Sequence, residues 1–214
     1  MLALSLVFSL LLLSSAFAAP TVQSSPAQSK DLWCQIPLLN RFLLCPRAPV
    51  NGLNIQTPIG SAQGTFASGV NRFPVKYASA DRWAPSSLVS TWQLPNNASD
   101  PTAQPLACPQ VNMDSSSFSE DCLSMILYVP PFLNPGSKAP VLVWMHGGSF
   151  IVGSATGPGL DGANLAMSTG SIVAVMQYRL GALGFLAPDG STNLGLKDAV
   201  NALQFLKDTL PPLV

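Results

Sequence analysis

Two short runs without a polar residue constrain this chain most: Val141-Leu-Val-Trp-Met145 and Ile172-Val-Ala-Val-Met176. Each has the length and β-branched composition of a strand buried on both faces, and neither alternates as a half-exposed strand would. The segment between them holds glycines and a short helical pattern around Leu160 to Met167, so the runs are predicted to be parallel strands joined by a crossover. After the second, Arg179-Leu-Gly-Ala-Leu-Gly-Phe185 is too rich in glycine for a regular element. From Leu196 the apolar positions Ala199, Val200, Leu203, Leu206 and Leu210 fall at helical spacing, with Asn193 placed to cap that helix and Pro211-Pro212 to stop it. The fold class is therefore α/β. The first run opens into His146-Gly147-Gly148-Ser149-Phe150, where two glycines permit backbone angles that other residues resist. Such a turn can aim successive backbone N–H groups at one point, which is how an oxyanion is held in acyl transfer.

The chain has 214 residues, ten basic against ten acidic, with no basic run, which argues against a nucleic-acid partner. Met1 to Leu13 form an apolar core too short to span a bilayer comfortably, and Ala16-Phe17-Ala18 is a small-x-small cleavage site. Residues 1–19 read as a secretory signal peptide lacking a basic leading segment, and no later segment is apolar and long enough to span. Cys34, Cys45, Cys108 and Cys122 allow three connectivities, of which nearest-neighbour pairing closes two short loops. No C-x-x-C spacing or nearby histidine suggests a metal, and Asn97-Ala98-Ser99 is one possible glycosylation site. Residues 20–52 read as an extended leader holding the Cys34–Cys45 loop. From Ile55 to Val75, short β-like runs broken by Gly60, Gly64 and Gly69 predict antiparallel strands with tight turns. Residues 86–120 are mostly loop, and Ser119 to Val129 leads into another strand.

Four motifs stand in one order: Ser-Glu-Asp-Cys-Leu at 119–123, Trp-Met-His-Gly-Gly-Ser-Phe at 144–150, Gln-Tyr-Arg-Leu-Gly-Ala-Leu-Gly-Phe-Leu at 177–186, and Asn-Leu-Gly-Leu-Lys-Asp-Ala at 193–199. Together they resemble the amino-terminal part of the type-B carboxylesterases, which include cholinesterases and some fungal lipases. The resemblance implies a partial α/β-hydrolase fold over residues 53–214, a mixed sheet whose antiparallel strands lead into parallel ones. It implies backbone oxyanion donors at Gly148 and Ser149, with Gly147 as a hinge before them, His146 at the loop's start and Phe150 lining the pocket. Ser149 stands where the family most often has a third glycine. Arg82 with Glu120, and Arg179 with Asp198, match structural ion pairs of the family. A short loop closed by Cys108 and Cys122 suits it too, and that pairing is expected together with Cys34–Cys45. No cofactor is implied, and the partner would be a small ester.

The family's remaining chemistry is missing from these residues. No G-x-S-x-G occurs, and the one histidine, His146, lies within the oxyanion loop. The resemblance puts the nucleophile just beyond Val214, so the chain is expected to be a truncated reading of a secreted serine carboxylesterase, inactive as written. The alternative is a non-catalytic binding or adhesion module of the same family. The loop between Cys108 and Cys122 is short and mostly polar, a poor interfacial lid, which favours an esterase over a lipase.

Overall fold

A computed structural model describes residues 53–134, 137–190 and 192–210. The proposed signal peptide, the Cys34–Cys45 loop and the rest of the leader lie outside the described residues. The first glycine-punctuated stretch forms the expected antiparallel meander of β1 (Leu53–Thr57), β2 (Gly60–Ala67) and β3 (Val70–Lys76). Only Gly60 and Gly69 mark its turns; Gly64 does not break a run and lies inside β2, where a Cβ would strike the Phe73 ring. Two short strands, β4 (Ala78–Ser79) and β5 (Ser87–Leu88), pair as a separate ribbon. β6 (Ser124–Val129) returns beside β3, and β7 (Val141–Met145) and β8 (Ile172–Met176) complete a six-stranded sheet in the order β1-β2-β3-β6-β8-β7. β7 and β8 are parallel, with Val141 opposite Ile172 and Met145 opposite Met176, whereas β8 runs antiparallel to β6.

Period-two alternation assigns β8 to two cores at once. Ile172, Ala174 and Met176 join Phe73, Met125 and Leu127 beneath the long helix α3 (Leu194–Thr209), while Val173 and Val175 join Ile126 and Tyr128 beneath α1 (Ala163–Thr169). One helix covers each face, and every residue of β8 is buried. β7 is the exception to its sequence pattern. It is an edge strand among the described residues, and Val141, Leu142, Trp144 and Met145 are exposed, Trp144 by 50%. The expectation that it is buried on both faces is corrected: five apolar residues specify a strand but not its place in the sheet.

Two helical expectations also change. The glycine-rich segment after β8 forms one short helix, α2 (Gly181–Phe185), packed against α3. In α3 the inward face is Ala199, Ala202, Phe205 and Leu206, while Val200 and Leu203 face outward with Leu196. Asn193 occupies the cap position in a left-handed conformation, but its side chain makes no capping bond. An open apolar groove runs between Val141 and Val143 of β7 and Leu203, Leu206 and Leu210, with Lys138 and Lys207 at its rim. Among the described residues no helix is long and apolar enough to cross a membrane.

Candidate functional site

The loop after β7 is built around its histidine. The His146 ring is buried (3% exposed) and lies over the Tyr178 ring, 4.6 Å between centroids and 20° between planes. The Tyr178 hydroxyl donates to the His146 carbonyl at 2.8 Å, so the exit of β8 holds the exit of β7 by both ring and hydroxyl. His146 Nδ1 lies 2.9 Å from the Gly147 carbonyl, which can only accept, so Nδ1 carries the proton. Burial lowers the imidazole pKa below its ordinary value, partly opposed by that hydrogen bond, and keeps the ring neutral near pH 7. Nε2 is buried without a hydrogen-bond partner among the described residues. A ring so placed cannot reach a substrate as a base.

Beyond it the backbone turns left-handed. Gly148 has φ 115°, and a Cβ there would lie 1.8 Å from the Val152 carbonyl oxygen, so only glycine fits. Ser149 (φ 55°) and Phe150 (φ 62°) follow in the left-handed region, which costs an L residue about 1 kcal/mol. Hydrogen bonds hold that conformation: Ile151 and Val152 N–H donate to the Gly148 carbonyl, and Gly181 N–H donates to the Phe150 carbonyl at 2.7 Å. Gly147, by contrast, has ordinary φ and open space around its Cβ direction, so nothing in this backbone requires a hinge glycine there. The exposed Phe150 ring leans on Phe185, 5.3 Å away, and edge-on to Tyr178.

The β7–β8 ladder ends at Met145. Among the described residues neither the Gly148 nor the Ser149 N–H donates a hydrogen bond. The same holds for the N–H groups of Gly147 and Phe150, and all four residues are exposed.

The surroundings contrast with this openness. Arg179 donates through Nε and Nη2 to both oxygens of Asp198, at 2.8 and 2.7 Å, and through Nη1 to the Ala84 carbonyl. Ser86 Oγ donates to Asp198 at 2.6 Å, and Asn201 donates to Ser86. Arg82 pairs with Glu120 at the surface, lowering the Glu120 pKa through their hydrogen bond. Lys76 and Asp121 form a further pair at 2.6 Å, a pair absent from the sequence reading. Cys108 and Cys122 are joined by a disulfide, with Cα atoms 5.0 Å apart. Asn97 is exposed at the end of a 3-10 turn, Pro95–Asn97.

Two glutamines that sequence reasoning passed over tie this disulfide region to the loop. Gln177, fully buried at the end of β8, accepts from Ala155 N–H and donates to the Leu106 carbonyl and Ser154 Oγ. Gln110 pairs with both backbone groups of Gly153. A glutamine two residues past a cysteine carries no signal of its own; only the fold brings it to the loop.

Comparisons with known proteins agree with this architecture. The carboxylesterase family pattern matches residues 52–212. A probable N-octanoylanthranilate hydrolase of Rhodococcus erythropolis is 35% identical over 167 residues, covering 73% of this chain and 36% of that protein. The para-nitrobenzyl esterase of Bacillus subtilis is 32% identical over 173 residues, covering 73% of this chain and 34% of that protein. A solved PNB esterase structure superimposes with TM-score 0.65 at 32% identity, over 75% of this chain and 35% of that one. The structural neighbours are esterases of the α/β-hydrolase fold, and the chain spans about a third of the length of the curated relatives it matches. The chain belongs to the carboxylesterase family.

Proposed function

We propose that residues 53–214 are the amino-terminal portion of a secreted serine carboxylesterase, and that they supply its oxyanion hole. The observation that supports this reading is a left-handed turn, held by hydrogen bonds to the Gly148 and Phe150 carbonyls, on which the Gly148 and Ser149 N–H groups, like those of Gly147 and Phe150, have no partner among the described residues. When a nucleophile adds to an ester carbonyl, the oxygen gains negative charge, and a preset donor stabilises that state by about 3–4 kcal/mol. Phe150 would line the site beside those donors, and His146 would hold the turn rather than transfer protons. Secretion is supported by the character of residues 1–19 and by a disulfide, which belongs to oxidising compartments. The exposed Asn97 sequon would then be available for glycosylation.

On their own these residues hold no serine in the G-x-S-x-G setting and no histidine able to act as base, so they should not hydrolyse esters. The 214-residue chain, assayed with a short-chain nitrophenyl ester and an organophosphate label, should match a heat-killed control. Turnover with labelling would overturn the reading. Nucleotides following the Val214 codon should encode G-x-S-x-G within some tens of residues. In that longer product Gly148→Ala keeps the N–H, but its Cβ would collide with the Val152 carbonyl and displace the turn, so kcat should fall roughly 100-fold or more. Absence of the motif would favour the non-catalytic module instead. Amino-terminal sequencing of the product in the medium tests secretion, with a start after Ala18 or Ala19 expected.

A further inference from the structure

We infer that Gln110 is a positioning residue for the loop after β7, through which the Cys108–Cys122 loop sets the geometry of Gly148 and Ser149. The inference rests on reading those two residues as oxyanion donors, and it adds a residue outside their loop.

Gln110 Oε1 accepts from the Gly153 N–H at 2.8 Å, while its Nε2 donates to the Gly153 carbonyl at 2.7 Å and to the Cys108 carbonyl at 3.1 Å. The side-chain amide thus pairs with both backbone groups of one residue, as a neighbouring strand would. Flipping the amide would set oxygen against oxygen and N–H against N–H, so only one orientation works. Among the described residues, Gln110 makes every hydrogen bond that joins the loop 146–153 to the loop 108–122.

Both ends of this link are stiff. At one end, Cys108 is disulfide-bonded, and the stem beneath it is zipped by Ala107 N–H to the Ser117 carbonyl and Ser119 N–H to the Ala107 carbonyl. At the other end, Gly153 has φ 127°, and a Cβ on it would lie 2.3 Å from His146 Nδ1. The returning chain therefore crosses directly over the imidazole, so fixing Gly153 fixes His146 and the left-handed turn between them. Gln177 secures the next two residues, Ser154 and Ala155, but it is part of the core. Gln110 is only half-buried, and all its bonds go to Gly153 and Cys108. Its removal should therefore loosen the loop without unfolding the sheet.

The test is hydrogen exchange resolved to single amides on the 214-residue chain. Gln110→Ala should speed exchange at Gly153 roughly tenfold, about what the net strength of one or two hydrogen bonds allows, with Ile151 and Val152 following. Amides of β8 should not change. Gln110→Glu keeps the acceptor for Gly153 N–H and loses the donor, so it should rescue Gly153 in part. Reducing the disulfide should reproduce the Gln110→Ala effect in the unsubstituted chain and add little to it in the variant, since both act through one link. If Gln110→Ala fails to fold, the glutamate variant and the reduction still decide. The inference is overturned by an unprotected Gly153 in the unsubstituted chain, by unchanged or uniformly changed exchange in the variants, or by full additivity of reduction. Because exchange needs no turnover, an intact link in an enzyme indifferent to Gly148→Ala would overturn the oxyanion reading alone.

Discussion

β7 and β8 lie side by side, parallel and in register, with nearly the same composition, yet they end in opposite ways. β8 is buried throughout, and the three residues after it spend their polar groups on the structure: Gln177 on Ala155 and Leu106, Tyr178 on His146, Arg179 on Asp198 and Ala84. β7 is exposed, and in the turn after it no N–H from Gly147 to Phe150 donates a hydrogen bond among the described residues. A buried exit must satisfy every donor it carries, because an unpaired one costs about 1–3 kcal/mol; a solvent-facing exit can hold donors in reserve. The saturated exit next door fixes the position of that reserve through Tyr178.

That contrast can be broken most severely at Asp198. Asp198→Ala strands a buried Arg179 guanidinium and should lower stability by about 3–5 kcal/mol in urea titrations. Arg82→Ala, at the exposed pair, should leave the midpoint unchanged within error. Equal effects at the two sites would show that burial does not separate these pairs.

The next effect is a pH dependence at His146. Its folded pKa is depressed by burial, so the fold favours the neutral ring, and stability is full above the unfolded value of about 6.5. Below that, the unfolded chain binds a proton that the native chain refuses, and stability falls with pH until the folded pKa is passed. His146→Phe keeps the stack on Tyr178 and should remove this slope. An identical Tm profile between pH 7 and 5 in both proteins would contradict the buried, neutral ring.

Tyr178→Phe removes one buried hydroxyl bond and orphans the His146 carbonyl, for about 1 kcal/mol. Smallest should be Trp144→Thr on the exposed face of β7, within about 0.5 kcal/mol in this chain. A loss of several kcal/mol in a longer product would show that further residues cover β7 there.

Much of this fold was legible because it is written locally. Gly60 and Gly69 mark the turns of the meander, the run at 172–176 marks a strand, and the apolar spacing from Leu196 marks α3. What was not legible depends on distant neighbours. The exposure of β7 is decided by which strand lies beyond it, and that of Val200 and Leu203 by where α3 meets the sheet. α2 escaped because Gly181 and Gly184 argue against a helix that packing on α3 nevertheless stabilises. At the site, His146 to Phe150 could be picked out by resemblance, whereas Gln110 and Gln177 could not. Their roles lie in bonds spanning 43 and 71 residues, which no local pattern encodes.

The polar knot behind the site also sets a clock. Ser86 meets Asp198 across 112 residues of chain, Tyr77 meets Gln177 across 100, and Arg179 meets Ala84 across 95. At ordinary rates of synthesis, a separation of that length means a wait of roughly 6–20 s between the arrival of the first partner and the last. The meander β1–β3 can close as it emerges, but the β4–β5 ribbon must stand without its charged and amide partners until α3 exists. Contacts of such high order slow folding as well. Pulse-labelling during refolding should therefore find the amides of β4 and β5 protected in the same phase as those of α3, after β1–β3 are already closed.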